Sequence, residues 1–251
     1  AGMDFYAEPP GTQLEAARNF VAHLGGSAAN IAVALVRLGA TADLLSRVSD
    51  DAVGRFCLAE LDRYGVGRTH VGLADGGART SLAVVETRSQ NCQSVIYRND
   101  AADFALTMGD VEEVDFQSLG ALVVTGTALA HPSSHDACLL ALERARDAGA
   151  VTVLDVDFRP YSWPSRDAAR SAKLGAAALC DIVVGNDEEF ALMAGSMAEG
   201  LPLARKLAAG SCAAVIYKMG DKGAVTISSG TEITTGIYPV QALKPTGAGD
   251  A

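Results

Sequence analysis

The sequence predicts an α/β protein built on a mostly parallel sheet, with a small β lid set apart from the helical layers. Three observations carry this. Strand-like apolar runs alternate with helical patterns along most of the 251 residues, the rhythm of parallel strands joined by crossover helices. Apolar residues make up 49% of the chain, enough for a sizeable core at this length. Two segments break the rhythm with Pro, Gly and polar turns, and these read as the lid.

The chain opens on what reads as the last residues of a strand, with Asp4 at its end. Phe5 to Leu24, containing Pro9-Pro10-Gly11, reads as a hairpin-like excursion. SAANIAVALVRLG follows as a helix with Ile31, Ala34, Leu35 and Leu38 on one face. TADLLSRV is then a strand and DAVGRFCLAELDRYG a helix. Arg37-Leu38-Gly39 and Arg63-Tyr64-Gly65 end the two helices with Gly after a basic turn. Val71 to Asp103 is the second lid segment, where TSLAVVET and QSVIYR alternate on either side of Arg88-Ser89-Gln90-Asn91. Beyond it ALVVTGT, AVTVLDVDF, DIVVGN and AAVIYKMG read as buried strands. SSHDACLLALERARDAG, SRDAARSAKLGAAALC and LPLARKLAAG are the helices between and after them. The division expected is a core of residues 1–6, 25–70 and 104–251 and a lid of residues 7–24 and 71–103. The chain stops at GAGDA, where a helix should begin, so the core reads as a fragment truncated at both ends.

Composition excludes several functions. Acidic residues outnumber basic ones by 30 to 20, a formal charge of −10, which disfavours nucleic acid and anionic membranes as partners. No segment reads as a signal peptide or a membrane span. Cys57, Cys92, Cys138, Cys180 and Cys212 form no CxxC pair and read as free thiols in a reducing cytoplasm. His131 and His135 have metal-like spacing, but Pro132 marks a helix entry between them and no third ligand lies nearby. Ser133 and Ser134 lack a G-x-S-x-G elbow. A dinucleotide fingerprint is also missing.

Two motifs carry chemistry. In Thr246-Gly247-Ala248-Gly249-Asp250, the small residues let backbone N–H groups approach an anion, and the expected helix would add its positive end. Asp250 is then placed to accept a proton from an attacking hydroxyl. The same residues also fit a plain Gly-rich turn. In Gly25-Gly26-Ser27-Ala28-Ala29-Asn30, the glycines would lie against a substrate and Asn30 would bond its hydroxyls. The alternative is a tight turn with Ser27 as N-cap. A third segment, Asp155 to Trp163, bears on the substrate. In a strand, residues 155, 157 and 159 share a side, so Arg159 would stand at the carboxyl end, where ligands bind such sheets. Its planar fork suits a carboxylate. The alternative is that Arg159 simply neutralises Asp155 and Asp157.

GGSAANIAVALVRLGATADLLSRVSDDAVGR and KPTGAGDA resemble the two signatures of the ribokinase-like (PfkB) carbohydrate kinases. The resemblance covers essentially the whole chain. It implies a ribokinase-like three-layer α/β/α sandwich with a mostly parallel central sheet and a small β lid. It also implies phosphoryl transfer from ATP to a sugar, with Mg²⁺. Asp250 maps to the catalytic base, and Gly247, Ala248 and Gly249 to the anion hole. Asp4, Gly25, Gly26 and Asn30 map to the sugar site. Asn186-Asp187-Glu188-Glu189 resembles the N-x-x-E motif, with Asn186 and Glu189 organising Mg²⁺ and phosphate and Glu189 acting through water. It also reads as a helix capping box, and both roles are compatible. Lys218, Gly220, Gly223 and Thr246 map near the nucleotide; Lys218 to Gly223 otherwise reads as a hairpin turn. Arg79 and Arg98 on the lid are candidate cations over the sugar.

RPYSW, YRNDAAD, VTGTALA and VGNDEEF are most similar to members that act on open-chain keto sugar acids. The expected substrate is 5-dehydro-2-deoxygluconate, a metabolite of myo-inositol degradation, with 2-dehydro-3-deoxygluconate as the alternative. Two departures stand out: Lys244-Pro245 precedes the Gly-rich turn, and Asp157 stands where many relatives carry Asn. A homodimer through the lid is a further expectation. A sugar- or nucleotide-sensing protein without catalysis on the same fold is the rival from another class.

Overall fold

The computed structural model describes residues 1–88 and 92–239. The chain divides into two units at Leu106/Thr107.

In the first unit, β1 (Gly2–Glu8) pairs antiparallel with β2 (Asn19–Gly25). It also pairs parallel with β5 (Ser81–Val85), which in turn pairs antiparallel with β6 (Ser94–Tyr97). The resulting four-stranded sheet has the order β2-β1-β5-β6. The Pro9-Pro10-Gly11 bend turns the chain, with Gly11 at φ 92° and the Thr12 hydroxyl donating to the Pro9 carbonyl at 2.6 Å. Both alternating runs of the second lid segment are thus strands. The expected end of the first strand near Asp4 is not. The strand continues to Glu8, and Asp4 sits mid-strand opposite His23 and Ala83. The alternation of Met3, Phe5 and Ala7 with Asp4 and Tyr6 suits a continued ladder.

Among the described residues of this unit are two α-helices, α1 (Ser27–Arg37) and α2 (Ala52–Tyr64). Asp51 caps α2 by accepting the Val53 and Gly54 N–H groups at 2.9 and 3.0 Å. Gly65, at φ 76°, ends it as the sequence predicts. TADLLSRV gives only a short strand, β3 (Ser46–Ser49), paired parallel with β4 (Val71–Ala74). Leu24, Ala29, Leu44, Val48, Cys57 and Leu61 are buried together between these elements.

The second unit holds a six-stranded sheet of order β12-β11-β10-β9-β8-β7. Its parallel half is β7 (Ala121–Thr125), β8 (Val151–Asp155), β9 (Ile182–Asn186) and β10 (Ala214–Lys218). β11 (Ala224–Ser228) and β12 (Thr231–Thr235) continue it antiparallel. The helices are α3 (Met108–Glu112), α4 (Pro132–Asp147), α5 (Arg166–Ala177), α6 (Asp187–Ala194) and α7 (Met197–Ala209). Pro132 opens α4 with His131 at the N-cap, and Ser165 caps α5 by accepting the Ala168 N–H at 3.1 Å. α7 starts earlier than Leu201-Pro202 suggests, because its N-cap is Ser196 and Pro202 lies within the helix. The core runs from Leu142, Leu154 and Val183 through Phe190 to Val215.

Among the described residues, no helix is long and apolar enough to cross a membrane. The five cysteines are free thiols; all but Cys92 are buried. Burial pushes the Cys57 thiol up to about 11 and those of Cys138 and Cys180 to about 12. It raises Cys212 as well. Only thiolates react quickly. A disulfide reagent at neutral pH should therefore titrate about one thiol fast in the native protein. Cys92→Ser should remove that phase; its persistence would show that one of the buried thiols opens to solvent.

Candidate active site

The first unit gathers part of the expected sugar site at the corner between β2 and α1. The Asp4 carboxylate lies over Gly25, where a Cβ would overlap it. Gly26 sits at φ 93° and is itself the N-cap of α1, in place of Ser27. The Gly26 carbonyl accepts the Asn30 N–H at 2.9 Å. Gly25 thus makes room for a carboxylate and Gly26 supplies a backbone angle that other residues resist. Tyr6 donates its hydroxyl to Asp4 at 3.5 Å and meets His23 edge-on at 5.2 Å.

The lid arginines are paired. Arg98 forms an ion pair with Asp103, its guanidinium lies 4.3 Å over the Phe104 ring, and its side chain is only 12% exposed. Burial pushes the Asp103 carboxyl up, but the Arg98 charge and hydrogen bonds outweigh it and hold the group below its ordinary value. Arg98 is thus anchored inside its own loop, where the sequence suggested an open cation. Arg79 lies 3.5 Å from Asp51.

In the second unit the parallel strands end in register. Thr125 pairs with Asp155, and Asn186 with Lys218, so the carboxyl edge of this sheet brings together three segments the sequence singled out. β8 stops at Asp155, short of the strand expected through Phe158. Asp157 turns the chain at φ 31°, a conformation rare for a non-glycine residue, so the alternation that was to aim Arg159 fails. Arg159 is instead set by contacts. Its guanidinium lies 3.0 Å from Asp157 Oδ1 and donates to the Phe158 carbonyl at 3.3 Å. The side chain is 44% exposed, whereas that of Asp157 is 4% exposed. A guanidinium has five N–H donors, so capacity remains for a ligand.

Asn186 and Glu189 form the capping box of α6. The Asn186 side chain accepts the Glu189 N–H at 2.9 Å, and Glu189 Oε2 accepts the Asn186 N–H at 2.8 Å. Glu189 Oε1 also accepts the Phe158 N–H at 3.1 Å, tying α6 to the Asp157 turn. Gly220 and Gly223, at φ 58° and 85°, form the turn between β10 and β11. A Cβ on Gly223 would overlap the Thr235 carbonyl of β12, so this glycine has a packing reason of its own.

The chain matches the family model of the pfkB family carbohydrate kinases over residues 1–251. The chain belongs to the pfkB family. A 5-dehydro-2-deoxygluconokinase of Photobacterium profundum is 38% identical over 100% of this chain and 77% of its own length. That of Geobacillus kaustophilus is 35% identical over 99% and 76%. Among solved structures, a PfkB protein from Polaromonas superposes with a TM-score of 0.86 at 27% identity, covering 99% of this chain and 82% of that one. A Vibrio cholerae fructokinase double mutant bound to fructose, ADP and potassium gives 0.84 at 26% identity, covering 100% and 78%.

For a pfkB kinase, the remaining expected residues are Thr246, Gly247, Ala248, Gly249 and Asp250, which lie outside the described residues. Among the described residues no three His, Cys, Asp or Glu side chains converge as a metal site. Both Glu189 oxygens accept main-chain N–H groups.

The structure adds residues that the sequence reading passed over. Lys173 of α5 is fully buried, and its ammonium donates to the Val156 carbonyl at 2.5 Å and the Asp157 carbonyl at 3.3 Å. Burial pushes its pKa down to about 8, opposed by the charges of Asp157, Glu189 and Asp155. Thr127 donates its hydroxyl to Asp157 Oδ2 at 3.1 Å. A Cβ on Gly126 would overlap both the Val156 carbonyl and the Lys173 ammonium. One signal was available for Lys173. It shares the helix face of Ala169, Ala176 and Ala177, all buried, where a lone lysine is out of place.

Proposed function

We propose that this pfkB-family chain is an ATP-dependent kinase that phosphorylates the primary hydroxyl of 5-dehydro-2-deoxygluconate. The observation that carries the substrate is Arg159, a half-exposed guanidinium at the carboxyl edge of the parallel strands and fixed by a buried aspartate. A neutral sugar gives no reason for that cation, whereas a keto acid does. The names of the relatives above agree.

In this reading Arg159 grips the carboxylate of the acid. Asp250 takes the proton of the attacking hydroxyl as the γ-phosphoryl is transferred. The backbone N–H groups of Gly247, Ala248 and Gly249 receive the charge of that phosphoryl group. Asn186 and Lys218 stand at adjacent strand ends toward the nucleotide, with the Gly220–Gly223 turn beside them. Mg²⁺ supplies charge neutralisation on the ATP phosphates when bound. Arg98 supports the lid through Asp103. The exposed Phe20, Val21, Val95 and Tyr97 on the outer strands of the four-stranded sheet support a lid-to-lid homodimer.

A coupled assay comparing 5-dehydro-2-deoxygluconate, 2-dehydro-3-deoxygluconate and fructose tests the reading. The first should give the highest kcat/KM; preference for the second would move the assignment to that acid, and preference for fructose would remove the role of Arg159. A thermal-shift screen separates the classes. ATP at a hundredfold excess over its Kd should raise Tm by about 5–10 °C. A response to NAD alone would overturn the kinase reading. Binding of ATP and acid without turnover would favour a sensor.

A further inference from the structure

The segment that carries Arg159 is held at both ends by one side chain. On the N-terminal side, Lys173 Nζ bonds the Val156 and Asp157 carbonyls. On the C-terminal side, the same ammonium lies 5.2 Å from the Trp163 ring centre; the Phe158 ring, on the N-terminal side, is 5.9 Å away. The Trp163 indole N–H is buried with no acceptor among the described residues, and so is the Ser162 hydroxyl. Hydrogen bonds from those two side chains therefore do not fix this end, whereas the cation–π contact reaches it from α5.

Packing alone does not account for the lysine. The rest of that α5 face is alanine, and a buried ammonium is costly where an apolar side chain would fill the space. What the charge does is hold a strained turn. Asp157 keeps φ 31°, a conformation that persists only when its surroundings over-determine it. Those surroundings are Lys173 on the carbonyls, Glu189 on the Phe158 N–H, and Thr127 and Arg159 on the Asp157 carboxylate. The missing side chain of Gly126 leaves room for the ammonium.

We propose that Lys173 is a positioning residue for substrate recognition: it clamps the 156–163 segment so that Arg159 meets the carboxylate of a sugar acid. The inference rests on the reading of Arg159 given above and adds a residue that never touches substrate. Its effect falls on the acid and not on the nucleotide.

The test is a double-mutant cycle in the full chain, with Lys173→Met, Arg159→Ala and the pair, read as KM for 5-dehydro-2-deoxygluconate, kcat, and Kd for ATP by calorimetry. Lys173→Met should raise KM for the acid about tenfold, since a displaced guanidinium loses part of its charge-assisted bond to the carboxylate in ground and transition states alike. Its kcat and ATP Kd should stay within about threefold of the parent. In the Arg159→Ala background the same change should have no further effect on KM, because coupled residues are not additive. Additive KM effects, or a parallel loss of ATP binding, would overturn the inference. Should the Met variant fail to fold, Lys173→Gln, which keeps N–H donors without the charge, enters the same cycle with the same criteria. If the parent protein turns over no keto acid, the substrate reading has failed; if it does and the cycle is additive, the clamp alone has failed.

Discussion

Arg159→Ala is expected to raise KM for 5-dehydro-2-deoxygluconate about 100-fold, because a charge-assisted bond lost from one partner costs roughly 1.5–3 kcal/mol. The methyl ester of the same acid should lose little, since it offers no anion. Arg159→Lys should recover only part of the affinity: a point charge cannot grip two carboxylate oxygens in one plane. The substitution also strips a partner from Asp157, which is buried and would keep the Thr127 hydroxyl. Some fall in Tm should accompany it, so the measurement pairs steady-state kinetics with a melting curve. Equal losses for acid and ester would show that Arg159 serves the fold and not the carboxylate.

Asp250→Asn should act on the other kinetic constant. An amide keeps the size of the carboxylate but cannot accept the hydroxyl proton, so kcat should fall by about 10²–10⁴. Kd for ATP and Tm should hold near parent values, because the change removes neither volume nor a phosphate-binding N–H. Single-turnover kinetics with both substrates bound isolates the chemical step. Turnover within about twofold of the parent would reject Asp250 as the base.

The parts of this architecture written in local pattern were legible. The apolar runs at 121–127, 181–186 and 213–220 each contain a strand, and the Gly after a basic turn ends α2 where expected. β12 was not legible: its five residues are all exposed, and only pairing with β11 makes them a strand. The end of β8 failed for a different reason. Nothing in the letters Asp-Val-Asp-Phe announces a positive φ at Asp157; that angle is imposed by contacts from Thr127, Lys173 and Glu189, which are distant in sequence. The same holds for Lys173, whose helix was readable but whose carbonyl partners were not. The two glycines before α1 were singled out by motif, and the structure supplies a backbone or packing reason for each. The partners of Arg98 were not legible: Asp103 and Phe104 enclose it, and nothing in the lid segment marks that pairing.

The unbroken run of β1 has a mechanical meaning. Its ladder with β2 extends from Gly2 opposite Gly25 to Glu8 opposite Asn19, with β5 on the other flank from Gly2 to Tyr6. No joint separates the rung that carries Asp4 from the outer tip of the hairpin. A continuous ladder of this kind is expected to carry motion of the tip to Asp4, and a ligand held at Asp4 to restrain the tip in turn.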